Sequence, residues 1–201
     1  MEINYSKLDM LNSCYSGYID TIGVFVTGKK GVGKTTVVQK FLNNKKNVMH
    51  ISVIGKNNYM LEPLVMAINR YYMLENSNHI FDFQNGLDIV DKIAMEVLNI
   101  CRKEKMILYF ESVADYGETL LDCVKRILNL LVNHHKKMQA FLILDIDTDA
   151  ESPIAFNKTL ESIYSISPTF QFIPFRDLER EELEIYFNEI FCNKIDISDK
   201  D

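Results

Sequence analysis

The chain has 201 residues, 47% of them hydrophobic and 25% charged, with only 4 prolines and a net charge of −6. Such a chain buries the core of one soluble globular domain, and its acidic balance gives no support to nucleic-acid binding through the bulk surface. The N-terminus Met-Glu-Ile-Asn-Tyr lacks the charged and apolar regions of a signal peptide, and no apolar run is long enough to span a bilayer. Cys14, Cys101, Cys123 and Cys192 are far apart and form no C-x-x-C, so metal-ligand spacing is absent. They are expected to be reduced, buried thiols, and the expected compartment is the cytoplasm, with no membrane partner.

In chain order, Tyr5, Leu8, Leu11, Tyr15 and Tyr18 recur at helical steps and predict an amphipathic lead-in helix within residues 1–18. Ile22, Val24, Phe25 and Val26 form a short apolar run ending in Thr27, a buried strand. Residues 28–36 follow as Gly-Lys-Lys-Gly-Val-Gly-Lys-Thr-Thr, and then Val37, Val38, Phe41 and Leu42 recur at helical spacing. The spacing G-x-x-x-x-G-K-[ST] is met at every fixed position, between a strand and a helix. Glycines let the backbone take the φ values of a tight anion-wrapping loop. The loop N–H groups and the helix N-terminus then point at phosphates. Gly28, Lys29, Lys30, Gly31, Val32, Gly33, Lys34, Thr35 and Thr36 are thus the candidate nucleotide-binding set. Lys34 would reach the β- and γ-phosphates, and the Thr35 hydroxyl would sit on Mg²⁺.

Beyond the loop, residues 48–54 predict a second strand, and residues 61–72 a helix with Pro63 in its first turn. Residues 76–86 are irregular, and residues 87–101 carry Ile89, Ile93, Val97 and Ile100 on one helical stripe. Residues 106–110, Met-Ile-Leu-Tyr-Phe, are a central strand closed by Glu111. Residues 119–137 form a long helix whose His134-His135-Lys136-Lys137 end complements the helix dipole. Residues 141–144 are a fourth strand running into Asp145-Ile146-Asp147. A helix over 154–166, a fifth strand over 170–175 ending at Pro174, and a C-terminal helix and tail over 177–201 complete the chain. Strands alternating with helices predict a three-layer α/β domain over 1–201 with a five-stranded, mainly parallel sheet. A ligand then sits at the carboxyl ends of the strands, where residues 28–36, Glu111 and Asp145 to Thr148 converge.

On its loop, strand and helix, the chain is identified as a P-loop NTPase. Gly-Lys-Lys-Gly-Val-Gly-Lys-Thr-Thr most resembles the loops of the STAND and AAA+ ATPases, the archaeal-type AAA proteins among them. Lys29 occupies the place of the signature lysine of partition-type ATPases, but Lys30 stands where that loop has a second glycine. The stretch 170–183, a strand followed by an acidic-start helix, also looks like the end of such a core. The resemblance spans residues 20–190, and only the loop is specific.

The resemblance implies ATP and Mg²⁺ as ligands, with Lys34, Glu111 and Asp145 as the catalytic set and Thr35 and Glu111 on the metal. Glu111 closes the strand where the family's metal-side acid stands, usually Asp followed by a catalytic Glu. Here the pair is Glu111-Ser112, which leaves the second slot without a carboxylate; Asp115 and Glu118 are close enough in sequence to substitute. Phe-Leu-Ile-Leu-Asp145 also reads as an acid-ended strand, so Asp145 competes with Glu111 for the metal, and strand counting favours Glu111. Asp145 or Asp147 otherwise falls near the γ-phosphate. No arginine precedes the fifth strand, Arg126 and Arg176 are the nearby candidates, and no C-terminal lid domain is expected. The implied activity is ATP hydrolysis, slow or partner-stimulated, that drives a conformational or assembly change in a larger complex. The implied partner is another protein or further copies of the chain; nucleic acid is a partner the charge does not support.

Three alternatives bear on the same residues. One is a nucleotide-binding switch or degenerate regulatory subunit with little turnover, favoured by the missing second acid. Another is a small-molecule or nucleotide kinase, disfavoured because Arg70, Arg102, Arg126, Arg176 and Arg180 form no lid-like cluster. The third is a GTPase, suggested by Asn193-Lys194-Ile195-Asp196 but contradicted by the order of its parts.

Overall fold

The computed structural model describes residues 2–53, 61–75, 80–81, 88–134, 140–148, 161, 163 and 170–177. Helix α1 spans Glu2–Tyr15, strand β1 Gly23–Gly28, helix α2 Lys34–Leu42 and strand β2 Val48–Ile51. Helices α3 (Glu62–Leu74) and α4 (Ile89–Lys103) precede β3 (Met106–Phe110). A 3₁₀ turn at Val113–Asp115 leads to α5 (Glu118–His134), followed by β4 (Ala140–Asp147) and β5 (Gln171–Pro174). The helix expected over 154–166 and, beyond Asp177, the C-terminal helix and tail lie outside the described residues, except that Glu161 and Ile163 are helical. Cys192 and the Asn193–Asp196 stretch lie outside them too.

The five strands run in the order β2-β3-β4-β1-β5, and every pair is parallel. Alternation along the strands divides the core in two. Phe25, Met49, Ile51, Leu108, Phe110, Leu142 and Leu144 point to the face covered by α3, α4 and α5. Val24, Val26, Ile107, Tyr109, Phe141 and Ile143 point to the face covered by α1 and α2. β1 therefore feeds a helix on one face and β3 a helix on the other. Chains leaving the sheet in opposite directions open a crevice at the strand carboxyl ends.

The lead-in helix belongs to the core. Leu11 and Cys14 are buried, and the Tyr15 ring meets Phe41 and Phe141 edge-on, each at a centroid distance of 5.6 Å. It ends at Tyr15, short of the expected Tyr18, which is exposed on the following turn. β2 stops at Ile51, and Ser52 and Val53 have left the strand. The fourth strand departs further from expectation. It starts at Ala140 and continues through Asp147, so Asp145 and Asp147 lie within it. Its pairing with β1, Asp145 beside Val26 and Asp147 beside Gly28, keeps both residues extended despite their low strand preference.

Cys14, Cys101 and Cys123 are buried free thiols, and burial pushes the last two up to about 12. No helix among the described residues is long and apolar enough to cross a membrane.

Candidate nucleotide-binding site

The loop between β1 and α2 is built on backbone that side-chain-bearing residues avoid. Gly31 and Gly33 have φ of 88° and 89°. Gly28, at φ 153°, has a different constraint: a Cβ there would lie 2.6 Å from the carbonyl oxygen of Phe175. Phe175 donates its N–H to Thr27 O at 2.6 Å, and Thr148 donates to Gly28 O at 3.1 Å. The ends of β1, β4 and β5 are thereby laced together around the loop.

Lys34 opens α2 and turns inward, only 4% exposed. Its ammonium donates to the carbonyls of Gly28 and Lys29, both at 2.9 Å, and to Asp147 Oδ1 at 2.6 Å. Asp145 Oδ1 is 3.7 Å away. That is within ion-pair range but beyond hydrogen bonding, and this buried oxygen has no hydrogen-bond partner. Burial is the main reason the Asp145 carboxyl is raised from 3.8 to about 7. The Lys34 charge opposes the rise; the negative charges of Asp147 and Glu111 add to it, and a hydrogen bond from Tyr109 opposes it.

Thr35, the next residue, donates its hydroxyl to Glu111 Oε1 at 3.5 Å. The other oxygen, Oε2, meets His50 Nε2 at 2.8 Å. The His50 imidazole stacks on the Tyr109 ring at 4.7 Å and 18°. Burial, followed by the negative charges of Asp145 and Glu111, raises the Tyr109 hydroxyl above its ordinary value. All of these side chains share the α2 face of the sheet, because Tyr109, Asp145 and Asp147 have the parity of the apolar residues that α2 covers.

Glu111 leaves β3 at a fixed height, since its N–H donates to Ile51 O at 2.9 Å. The Tyr116 hydroxyl donates to the same carbonyl at 3.0 Å. Ser112 then takes the left-handed conformation, φ 52° and ψ 52°, uncommon for a residue other than glycine. This turn sends Val113 into the core and starts the 3₁₀ turn that ends at Asp115; Glu118 stands at the head of α5.

The arginines divide. Arg126 is engaged on the helical layer, its Nε 2.6 Å from Asp91 Oδ1. Arg176 lies next to Asp177, whose carboxylate meets the Lys29 ammonium at 2.6 Å on the outside of the loop. Lys30, Thr35 and Thr36 are exposed, as groups facing a ligand from solvent need to be.

Lys34, Thr35, Glu111, Asp145 and Asp147 are thus brought into one crevice. His50 and Tyr109 join them, and no sequence motif marks either. A signal was present for both: they are polar residues inside apolar strands, each at the parity that leads to Glu111 or Asp145.

The residues fit a divalent cation with oxygen preference. A threonine hydroxyl and a carboxylate side by side are hard oxygen donors of the kind Mg²⁺ takes alongside water and phosphate. Among the described residues, no three His, Cys, Asp or Glu side chains form a cage that would hold a metal by protein groups alone.

Solved structures share this arrangement of strands and helices. The Walker-type ATPase PABY2304 of Pyrococcus abyssi superposes with a TM-score of 0.60 at 13% identity, over 100% of this chain and 59% of that one. The fold is the one this Walker-type ATPase has. Cdc6p of Pyrobaculum aerophilum matches with a TM-score of 0.56 at 15% identity, over 91% of this chain and 47% of that one. The ORC2 protein of Aeropyrum pernix, solved as ADPNP–ADP complexes, matches at 0.52 and 16%, over 94% and 50%. The chain therefore spans about half to three-fifths of the length of these proteins. No protein-family model and no curated protein matches it.

Proposed function

We propose that this P-loop domain binds Mg-ATP in the crevice at the carboxyl ends of β1, β3 and β4 and hydrolyses it slowly, the cycle driving a conformational or assembly change in a larger complex. The observation that carries the reading is Lys34, buried at the centre of its own loop with its ammonium on two loop carbonyls and one acid. A cation stored in that position is exchanged onto phosphate oxygens without moving the backbone that holds it. The nucleotide-bound state of the Aeropyrum pernix relative in fold supports the same ligand class here.

In this reading, Gly28 to Thr36 wrap the phosphates, and Thr35 and Glu111 hold the metal. A Mg²⁺ ion held there would supply positive charge against the phosphates. Asp145 and Asp147 line the γ-phosphate side, where Lys34 already meets them. Ser112 fills the place of a second carboxylate, so no side chain there takes a proton from an attacking water, and turnover in the isolated chain is slow. Arg126 is occupied by Asp91, which points to a second protein, or a second copy of the chain, as the source of a charge-stabilising arginine.

The test is Mg-ATP binding, with phosphate release followed at several protein concentrations, in the native chain and in Lys34→Ala. Expected are binding by the native chain, release that rises steeply with concentration, and loss of both in the variant. Unchanged affinity and turnover in Lys34→Ala would remove the site assignment. Ser112 also favours a second reading, a nucleotide-dependent switch. Binding without release at every concentration selects it.

A further inference from the structure

Tyr109 is the one residue of β3 that brings a polar group into the crevice while being fully buried. Its hydroxyl donates to Asp145 Oδ2 at 3.4 Å. Its ring supports His50, which holds Glu111 Oε2 at 2.8 Å. One side chain thus joins the acid on β4 to the imidazole beside the acid that follows β3.

The consequence falls on Lys34. Asp147 Oδ1 stands 2.6 Å from the ammonium and Asp145 Oδ1 3.7 Å, and the latter oxygen is buried with no hydrogen bond. A desolvated carboxylate oxygen that close to an ammonium gains by closing the remaining distance. The hydroxyl on the opposite oxygen holds it back. We propose that Tyr109 is a positioning residue of the phosphate site: its hydroxyl restrains Asp145, so that Lys34 is held by one carboxylate at contact distance instead of two and is released to an incoming nucleotide phosphate. This inference rests on the Mg-ATP reading above.

Tyr109→Phe keeps the ring, its volume and the stack on His50, and removes only the hydroxyl. Affinity for Mg²⁺ with the non-hydrolysable ATP analogue AMP-PNP is measured by calorimetry in the native chain, Tyr109→Phe, Asp145→Asn and the double variant. Tyr109→Phe is expected to weaken binding roughly five-fold in the native background, the scale of one hydrogen bond. In the Asp145→Asn background the same change is expected to shift affinity less than about 1.5-fold, because the group it acts through has lost its charge. A packing role alone would lower the unfolding midpoint of the nucleotide-free chain and shift affinity by the same factor in both backgrounds. Equal factors, or binding by Tyr109→Phe as tight as native or tighter, overturn the inference.

Asp145→Glu gives an independent route should Tyr109→Phe fail to fold. Its longer arm reaches Lys34 past the hydroxyl and is expected to weaken binding; unchanged or tighter binding contradicts the restraint. The native titration separates the two levels. A native chain that binds no Mg-AMP-PNP overturns the phosphate site and this inference with it, whereas native binding with equal factors overturns only the inference.

Discussion

Asp145→Asn is expected to stabilise the nucleotide-free chain at alkaline pH and to lose that advantage in acid. Asp145 is 1% exposed, and burial raises its carboxyl from 3.8 to about 7 in the folded chain. Between those values the folded chain holds a proton that the unfolded chain has released. Native stability therefore falls as pH rises through this window, and the whole penalty is present above pH 7. At 1.36 kcal/mol per tenfold change in proton affinity, the penalty reaches about 4 kcal/mol. The attraction of Lys34 is already contained in that figure, since it acts on the same carboxylate. Asparagine keeps the shape and still accepts from Tyr109, but it cannot ionise. Urea unfolding of both chains without nucleotide, at pH 5 and pH 8, measures the difference. A gain approaching about 4 kcal/mol at pH 8, and much smaller at pH 5, is expected. A gain independent of pH, or a loss at pH 8, would refute the account of Asp145 as an acid whose ionisation burial opposes.

Two further substitutions test the site from other sides. Gly28→Ala puts a Cβ against the Phe175 carbonyl, which its hydrogen bond to β1 prevents from yielding. A loss of about 2–3 kcal/mol in urea unfolding, together with weakened Mg-ATP binding, is expected. Glu111→Gln preserves the shape that meets His50 and Thr35 while removing the charge. Mg²⁺-dependent phosphate release should fall about a hundredfold, the scale of one lost electrostatic contact in a reaction centre, with ATP affinity nearly kept. If Asp145→Asn has that effect and Glu111→Gln does not, the metal-side acid is on β4.

The glycine loop between β1 and α2 was legible in the sequence because its physics is local. Gly31 and Gly33 take up left-handed backbone within a few residues of Lys34, and the strand before and the helix after are each announced by their own periodicity. Fold class was legible for a similar reason: short apolar runs alternating with helical stripes leave little besides a parallel sheet covered on both faces.

Partners across the sheet were decided by the tertiary structure. Nothing near Asp147 in the chain says that it meets Lys34, 113 residues away. That contact follows from β4 lying beside β1 and remaining extended to the height of Gly28. His50 meets Tyr109 and Glu111 only when β2 pairs with β3 in this register; a shift of one residue would turn it to the opposite face. Local spacing was enough to mark a glycine loop between strand and helix and the lysine that opens the helix. Strand order and register, set by packing over the whole sheet, decided which acids that lysine finds.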